Sequence, residues 1–380
     1  MKYGIVAIGY NRVDSMRRLL MALQQCEYGD DKVTLIISLD KWDSNEVVDC
    51  ANEIQWTQGP KVVKTFSERQ GLRKHILKCG GYMEEYDLDA IAVFEDDIVP
   101  SVDFYQFMRQ AVPVYANEER IAGIGLYSFQ WHPIANKPFC PIQGKSSVYL
   151  SQFAVSWGQI WLRNQWKCFT DWLANVDDKT IESLDIPEQV KSWKNSWLKF
   201  HIGYCNAKNK YFVYPYRSLA TCFAEQGAHT DLQLNHYQVP IVEEVGTEYQ
   251  FYNVDDIEIR YDTFFESLYL QKELLKKGYD VCVDLYGLKG KSTEKEFWLT
   301  EEFKPLKLVK SYGLLLKPHE KNILDNIVGE EIFLYQNKLV DSDVEEKFSV
   351  NKFLYYFNGS LDKRFVLFHL KKKIQRILKR

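Results

Sequence analysis

The sequence lacks the features that mark secreted, membrane-spanning and zinc-binding proteins. Its eight cysteines show no CxxC or CxH spacing, so we expect reduced thiols rather than disulfides or a zinc site. No uninterrupted apolar run reaches about 18 residues. Met1 is followed by a strand-like segment rather than by a basic stretch and an apolar one. Internal repeats and low-complexity linkers are also missing. We therefore expect a cytoplasmic protein that is free or peripheral to a membrane.

A large excess of charge is missing from the chain as a whole. The formal net charge of −4 argues against nucleic-acid binding. The 46% hydrophobic content is ordinary for a globular protein, whereas the 15% aromatic content is high. Exposed aromatic rings often line sugar or nucleotide sites. A length of 380 residues suggests one large domain, or a main domain with an appendage.

Apolar strand-like runs alternate with amphipathic helical segments over the first hundred residues. A helix with apolar Met16, Leu19 and Leu23 follows Asp14 and Ser15, which we predict to cap it. This βαβαβαβ order predicts a mostly parallel sheet with helices on both faces, in which ligands bind at the carboxyl ends of the strands. The predicted strands cover residues 3–8, 33–39, 61–66 and 88–95, and the further helices cover 45–56 and 71–79.

The remaining pattern predicts a larger and a smaller part of the chain. Residues 101–114 read as a helix, 121–126 as a strand, and 157–172 as an aromatic-rich loop and helix. A second pattern of predicted helices and strands begins near residue 254, with a helix over 262–277 and strands over 280–285 and 296–299. We predict a main domain over 1–250, an appended α/β subdomain over 251–360 and a tail over 361–380.

Three consecutive carboxylates, Glu95, Asp96 and Asp97, end the fourth predicted strand. Neighbouring ionised acids repel one another unless a cation or a donor-rich ligand compensates their charge. Carboxylate oxygens suit Mg²⁺ or Mn²⁺, and these ions keep open positions for the phosphates of a substrate. The sequence thus predicts a metal-diphosphate site, with a solvated acidic turn as the alternative.

The acidic run resembles a family motif. After five residues it is followed by Asp103, Phe104 and Tyr105, as in N-acetylglucosaminyltransferase I-like GT-A glycosyltransferases. The resemblance spans about residues 1–235 and implies a GT-A fold, with a Rossmann-like mixed sheet that binds nucleotide-diphospho-sugars. Further pieces fall in family order at 9–12, 38–40 and 156–158, and the segments 213–218 and 225–229 are similar to those of bacterial capsular polysaccharide glycosyltransferases.

The resemblance implies roles for residues around the nucleotide. Asp40 would bind the base, although it could be a turn-forming residue. Arg73 and His75 would contact phosphate, or belong to a solvated helix face. A loop would pass beneath the nucleotide with its arginine near the diphosphate, unless it only begins a helix; it consists of Gly9, Tyr10, Asn11 and Arg12.

The resemblance also implies roles around the metal and the donor sugar. Asp97 would be a ligand of Mn²⁺ or Mg²⁺. Glu95 would accept hydrogen bonds from sugar hydroxyls, and Asp96 would contact the ribose or a metal-bound water. On a short loop that closes over the diphosphate, Gly227 would give room and His229 would bind metal or phosphate. A sugar platform, or alternatively core packing, is implied for Trp157 and Gly158.

The pattern departs from the family at the general base. Relatives carry a carboxylate in a W-D-D-W-like segment, but residues 193–197 read WKNSW here, and Asn195 cannot act as a base. Glu225, Glu188 or Asp185 would then substitute as the catalytic base. Alternatively, the correspondence is shifted, or the enzyme retains configuration and needs no such base.

The basic tail over 361–380 has an amphipathic pattern. Lysines and arginines surround an apolar stripe, which predicts a helix lying on an anionic membrane surface. A helix packed on its own domain is the alternative. The stripe comprises Val366, Leu370, Ile374, Ile377 and Leu378.

Together these features predict a metal-dependent hexosyl- or N-acetylhexosaminyltransferase that uses a UDP-sugar. Its acceptor would be a hydroxyl of a surface glycan, carried on a lipid at the inner face of the membrane, as in capsule biosynthesis. One alternative is a sugar nucleotidyltransferase, which should show a Gly-rich, Lys-containing loop where residues 9–12 stand. Another is a catalytically inactive scaffold or glycan-binding module, because the expected base is missing.

Overall fold

The computed structural model describes residues 1–223, 236–290, 294–339 and 349–357, together with 367 and 371. The chain divides into two compact units, Met1–Tyr269 and Leu270–Arg380, which are described separately below. The domain boundaries predicted after residues 250 and 360 stay predictions. No helix in the described residues is long and apolar enough to cross a membrane.

The first unit is built on a large mixed sheet. In the described residues, nine strands pair in the order β13-β9-β11-β6-β10-β4-β1-β2-β3. Two further pairs, β5 with β12 and β7 with β8, lie outside this sheet. The strands are β1 (Tyr3–Gly9), β2 (Thr34–Leu39), β3 (Lys61–Thr65), β4 (Ala90–Glu95), β5 (Ile98–Pro100), β6 (Ile121–Gly125), β7 (Trp131–His132), β8 (Lys137–Pro138), β9 (Val148–Ser151), β10 (Gln159–Leu162), β11 (Tyr211–Pro215), β12 (Ala220–Cys222) and β13 (Arg260–Tyr261).

Strands β4, β1, β2 and β3 are mutually parallel, as predicted. The runs of β1, β2 and β4 are almost continuously apolar because helices cover both faces of such a sheet, whereas β3, at the end of the strand order, is only partly buried. The register pairs Ile8 with Glu95 and Gly9 with Leu39, so the ends of β1, β2 and β4 lie side by side. We call this side of the sheet the carboxyl edge. Strand β10 is antiparallel to β4 and pairs Gln159 with Val93, which brings its beginning to the same edge.

The helices of the first unit pack on this sheet through apolar stripes. In α1, Met16, Leu19 and Leu23 are fully buried, with the i, i+3, i+7 spacing of one helix face. The predicted cap was wrong, because the helix begins at Val13, before Asp14 and Ser15. The helices are α1 (Val13–Gln24), α2 (Glu46–Glu53), α3 (Leu72–Gly80), α4 (Tyr82–Glu85), α5 (Phe104–Tyr115), α6 (Arg163–Leu173), α7 (Asp178–Glu182), α8 (Glu188–Lys191) and α9 (Leu198–Ala207), with a 3-10 turn at Val254–Asp256.

The second unit is a smaller α/β structure. Its described strands pair in the order β14-β15-β17-β16, where β14 and β15 are parallel and the other pairs are antiparallel. Leu270, Leu299 and Leu334 belong to its own apolar core. Its elements are α10 (Leu268–Lys276), β14 (Val281–Asp284), β15 (Phe297–Thr300), β16 (Leu306–Tyr312), α11 (His319–Leu324), β17 (Ile332–Leu339) and α12 (Val350–Phe357).

A buried carboxylate connects α12 to the sheet of the second unit. Glu301 follows β15 and is almost fully buried. It accepts a hydrogen bond from the Tyr356 hydroxyl, and its carboxylate lies 3.3 Å from Nζ of Lys352. Both partners lie on α12, so a charged pair and a hydroxyl satisfy this carboxylate inside the unit. The predicted basic helix follows α12 and, except for Leu367 and Lys371, lies outside the described residues.

Candidate functional site

The three acids lie at the carboxyl edge in a tight turn between two strands. Glu95 ends β4, Asp96 and Asp97 form the turn, and β5 begins at the next residue. Strand β5 pairs with β12, and the Phe223 amide then donates to the carbonyl oxygen of Asp97 at 2.7 Å. Gly9, at the end of β1, lies against the turn, since a Cβ built on Gly9 would be 3.7 Å from Oδ2 of Asp96. The end of the acidic turn is thus held through its backbone by β12 and Phe223.

Arg12 pairs with both aspartates of the turn. Its Nη2 and Nη1 atoms lie 3.2 and 3.3 Å from Oδ2 of Asp97, and Nη2 also pairs with Oδ1 of Asp96. Asp96 is buried, whereas the side chains of Asp97 and Arg12 are 35% and 31% exposed. The planar guanidinium fork suits two acceptors at once, which a lysine cannot match. Residues 12, 96 and 97, predicted to share a site, are therefore brought into direct contact.

The negative charge of the turn is only partly balanced. Burial raises the pKa of Glu95 to about 8, and the charges of Asp97 and Asp96 add to this effect, while Arg12 opposes it. At neutral pH the Glu95 carboxyl therefore keeps its proton in most molecules. One guanidinium faces three carboxyl groups, so a further cation at this edge would be stabilised by the local field.

The carboxylates fit a metal ion that is shared with a phosphate ligand. Among the described residues, no group of three or more His, Cys, Asp or Glu side chains is placed to hold a metal by itself. The oxygens of Asp96 and Asp97 are, however, the hard ligands that Mg²⁺ and Mn²⁺ take, and these ions commonly complete their coordination with phosphate oxygens and water. The donor set thus suits the predicted metal-diphosphate site, in which phosphate oxygens would complete the coordination that two carboxylates begin.

Asp40 organises the backbone at the end of β2. Its carboxylate accepts hydrogen bonds from the amides of Lys41 at 2.8 Å, Gln70 at 2.7 Å and Gly71 at 2.9 Å. Gly71 precedes α3 with a φ of 71°, a conformation that glycine adopts readily. A carboxylate at the start of a helix also interacts favourably with the helix dipole. A carboxylate has about four lone-pair directions, and the three amides use one each. About one direction, on Oδ2 of Asp40, therefore stays open for the predicted contact with the base.

Two aromatic rings and an arginine lie beside Asp40. Tyr10, which follows β1, contacts Trp42 edge to face with the ring centres 5.2 Å apart. The guanidinium of Arg69 lies 4.6 Å from the centre of the Tyr10 ring. Asn11 is exposed in the same loop. The sequence analysis missed Trp42 and Arg69; an available signal was a tryptophan two residues after the acid that ends β2.

His75 and Arg73 have different surroundings, although both lie on α3. His75 is 2% exposed, its Nε2 lies 2.7 Å from Oγ of Ser38, and burial lowers its pKa to about 4. A buried, neutral imidazole does not suit the predicted direct contact with phosphate; it supports the end of β2 instead. Arg73 is half-buried, with its guanidinium 4.2 Å from the ring centre of Phe200, and keeps part of its surface open.

A group of aromatic side chains surrounds the beginning of β10. Trp157 is half-buried and contacts Tyr127 and Tyr237, with ring centres 4.7 and 4.5 Å apart. Trp131 stacks on His236 with the ring centres 4.1 Å apart. The sequence analysis missed Trp131, His236 and Tyr237, because their separation along the chain gives no recognisable spacing. We call these five residues the aromatic group.

Gly158 permits a close approach behind Trp157. Its φ of 89° is unfavourable for other residues, and a Cβ would lie 2.8 Å from Cβ of Ala220 and 3.4 Å from the ring of Phe94. Phe94 directly precedes Glu95. These distances are to other parts of the chain, and the predicted role of this glycine in sugar binding stays a prediction.

The candidate bases are separate from the acidic turn where they are described. Glu188 is exposed and pairs with Lys191 at 2.7 Å, and Asp185 is exposed before α8. In the described part of the chain, neither carboxylate contacts the acidic turn. The segment with Asn195 leads into α9, and Trp197 at its end is buried against Trp161. The remaining candidates, Glu225, Gly227 and His229, lie outside the described residues.

Comparison with known proteins gives a distant likeness to solved structures. No family model and no curated protein matches the chain. S. aureus TarS 1-349 in complex with UDP-GlcNAc aligns with a TM-score of 0.39 and 9% identity over 60% of each chain. A longer S. aureus TarS structure aligns with a TM-score of 0.38 and 10% identity, over 58% of this chain and 36% of that one.

A third structure is the mannosyltransferase PcManGT from Pyrobaculum calidifontis in complex with GDP-Man and Mn²⁺. It aligns with a TM-score of 0.32 and 11% identity, over 45% of this chain and 46% of that one. The chain thus spans between 36% and 60% of the solved chains named here. At such TM-scores the likeness carries no conclusion about activity, and the function has to be inferred from the geometry of the chain itself.

Proposed function

We propose that this chain is a GT-A-type glycosyltransferase that moves a hexosyl or N-acetylhexosaminyl group from a nucleotide-diphosphate sugar, a UDP-sugar, to a hydroxyl group. The observation that carries this proposal is the meeting of Arg12, Asp96 and Asp97 at the carboxyl edge, where open α/β sheets bind their ligands. A guanidinium, two carboxylates and a neighbouring aromatic pair are the groups that a nucleotide diphosphate with a metal requires.

The residues of the carboxyl edge have distinct roles in donor binding. Asp97 and Asp96 would hold the metal ion, which supplies electrophilic stabilisation of the leaving diphosphate when bound. Arg12 binds phosphate oxygens, and the Tyr10–Trp42 pair contacts the base or the ribose. The Gly71 amide is not available to phosphate, because Asp40 already accepts it.

The aromatic group supports the proposal of a glycan acceptor. Trp157 lies just before β10, the strand that pairs with β4, and its indole is only half-buried. Aromatic faces bind the apolar faces of sugar rings while leaving the hydroxyls accessible to polar groups. We assign the acceptor to this side, as a hydroxyl of a lipid-linked surface glycan. Inversion would need Glu225, Glu188 or Asp185 as the base, and Gly227 with His229 would complete the diphosphate site.

Donor binding tests the proposal directly. We expect UDP or UDP-GlcNAc to raise the thermal unfolding temperature in Mn²⁺ but not in EDTA. At a ligand concentration of a hundred times Kd, the free energy of unfolding should rise by about 2.7 kcal/mol. The Asp97→Ala variant should lose this effect. Asp255→Ala is a matched control, because Asp255 is an exposed acid that pairs with Arg120.

Binding that is equal in EDTA, or unchanged by Asp97→Ala, would contradict the metal assignment. GDP and GDP-mannose serve as the competing donors in the same assay. Slow hydrolysis of the bound donor would separate an active transferase from an inactive scaffold, and release of pyrophosphate from a nucleoside triphosphate would instead indicate a nucleotidyltransferase.

A further inference from the structure

We propose that Arg12 is a built-in counter-cation that competes with the metal for Asp96 and Asp97, and that it moves to the donor diphosphate when the metal binds. This inference rests on the proposed function, its first step on the metal site and its second step on the nucleotide. The first step, competition between a guanidinium and a divalent cation, concerns residues that are in contact in the ligand-free chain.

The competition follows from shared oxygen atoms. Both terminal nitrogens of Arg12 lie within 3.3 Å of Oδ2 of Asp97, the more exposed of the two aspartates. A divalent ion bound to this oxygen would sit at about 2.1 Å from it, inside the space that the guanidinium holds. The two cations would also repel each other. Metal binding therefore requires the Arg12 side chain to leave the oxygen that it contacts.

The position of Arg12 allows such a movement. The residue lies between the end of β1 and the first turn of α1, and no side-chain hydrogen bond caps the helix there. Its backbone is extended, and the preceding Asn11 is exposed. A long side chain that is 31% exposed can thus reorient by rotamer changes while the helix stays in place.

A nucleotide diphosphate offers the displaced guanidinium a new partner. Two phosphate oxygens match the fork of arginine as well as two carboxylate oxygens do. A metal ion that binds alone breaks the ion pairs of Arg12 with the two aspartates, and Arg12 gains no new partner. A metal ion that binds with a diphosphate also breaks these pairs, but Arg12 then pairs with phosphate oxygens instead. We therefore expect metal and nucleotide to bind with positive coupling, and Arg12 to be a positioning residue that adds to the coupling from direct metal–phosphate contact.

The first experiment uses Mn²⁺ alone, measured by electron paramagnetic resonance and calorimetry on the full chain. Arg12→Ala should bind Mn²⁺ roughly tenfold more tightly than the unmodified chain, within the usual range of coupling between sites. Arg109→Ala is the matched control, because Arg109 also pairs with an aspartate, Asp31, at 3.2 Å and is 44% exposed. Unchanged Mn²⁺ affinity in Arg12→Ala would overturn the inference.

The second experiment measures the coupling with UDP. In the unmodified chain Mn²⁺ should tighten UDP binding, whereas in Arg12→Ala UDP should bind more weakly and the coupling should fall to the part that direct metal–phosphate contact supplies. Arg12→Lys should be intermediate, since one ammonium keeps the charge but not the fork. Coupling that survives intact in Arg12→Ala would contradict the second step.

The two proposals fail in different ways. If no nucleotide binds to the unmodified chain, the proposed function is wrong, while the Mn²⁺ experiment still decides whether Arg12 competes with the metal. Circular dichroism establishes that each variant is folded. Should Arg12→Ala fail to fold, Arg12→Gln, which keeps the length and loses the charge, replaces it with the same expected results.

Discussion

At the scale of single residues, the carboxyl edge holds two groups that stay uncharged near neutral pH. Glu95 retains its proton because burial and neighbouring acids disfavour the carboxylate. His75 stays neutral because burial disfavours the imidazolium, and Ser38 gives its ring a neutral partner. The pKa of Glu95 is raised and that of His75 is lowered, so both groups are neutral. The exposed charges at this edge are then those of Arg12 and Asp97.

The Glu95 shift predicts a pH-dependent stability. Between its ordinary pKa of 4.5 and about 8, the folded chain keeps a proton that the unfolded chain has released. The free energy of unfolding should therefore fall as pH rises through this window. Glu95→Gln removes the group and should flatten that dependence. Urea unfolding in EDTA at pH values below, within and above the window measures the slope.

The exposed Glu68 provides the control for this measurement. Glu68→Gln should keep the slope of the unmodified chain. Equal slopes in the unmodified chain and Glu95→Gln would show that Glu95 ionises as an ordinary surface acid. That result would contradict the raised pKa of Glu95 in the acidic turn.

At the scale of elements, Asp40 connects β2 to α3 through hydrogen bonds to the backbone. Asp40→Ala leaves the amides of Gln70 and Gly71 without their acceptor, and each such loss in a buried setting costs about 1–3 kcal/mol. We expect a fall of that order in the unfolding free energy, with faster hydrogen exchange at Gly71. Urea unfolding and amide exchange by nuclear magnetic resonance are the measurements.

Asp43→Ala tests whether this loss is specific to the α3 connection, since Asp43 is an exposed acid in the same loop. It should leave both readouts unchanged. If Asp40→Ala were as stable as Asp43→Ala but bound UDP less well, Asp40 would be a base-binding residue without the structural role that its contacts indicate.

The parallel strands were the elements most open to prediction from sequence. Strands β1, β2 and β4 are buried and form apolar runs bounded by turns, whereas β3 is only partly buried; the predicted limits of all four agree with the structure within two residues. The position of the acidic turn follows from the same pattern. Its contact with Arg12 could be anticipated only as proximity, because an ion pair depends on side-chain geometry.

Other elements gave too little sequence signal. Strand β10 has four residues and runs antiparallel between two parallel neighbours, so it reads as the start of the α6 helix. The helix predicted over 262–277 begins at Leu268, because the Asp262 carboxylate accepts the amides of Phe264 and Glu266 and forms a turn. Strand β16 is lysine-rich and exposed at the edge of its sheet, so it shows no alternating pattern.

At the scale of the whole molecule, the chain separates the proposed chemistry from the proposed attachment. The described site residues all belong to the first unit, whereas the basic tail belongs to the second. The apolar stripe and its lysines support our proposal that the tail binds an anionic membrane on the cytoplasmic side. Leu367, one of the two described residues there, is 58% exposed.

A chain ending at Ser360 tests this separation. It should no longer sediment with anionic vesicles and should keep Mn²⁺-dependent UDP binding. The full chain should bind these vesicles less tightly as salt rises, because surface electrostatics is screened, and should bind neutral vesicles weakly. Continued sedimentation of the shortened chain would contradict membrane binding by the tail, and its unfolding would show that the tail packs on its own unit.

The pairing of β5 with β12 restricts how the acidic turn can change over evolution. Ile98 and Pro100 are buried, Val99 between them is partly exposed, and each is in register with a residue of β12. Deleting or inserting one residue in the turn would reverse which side chains face the interior. Substitutions within the turn therefore leave the ladder intact, whereas length changes do not. Descendants of this chain should thus keep a constant interval between β4 and β5.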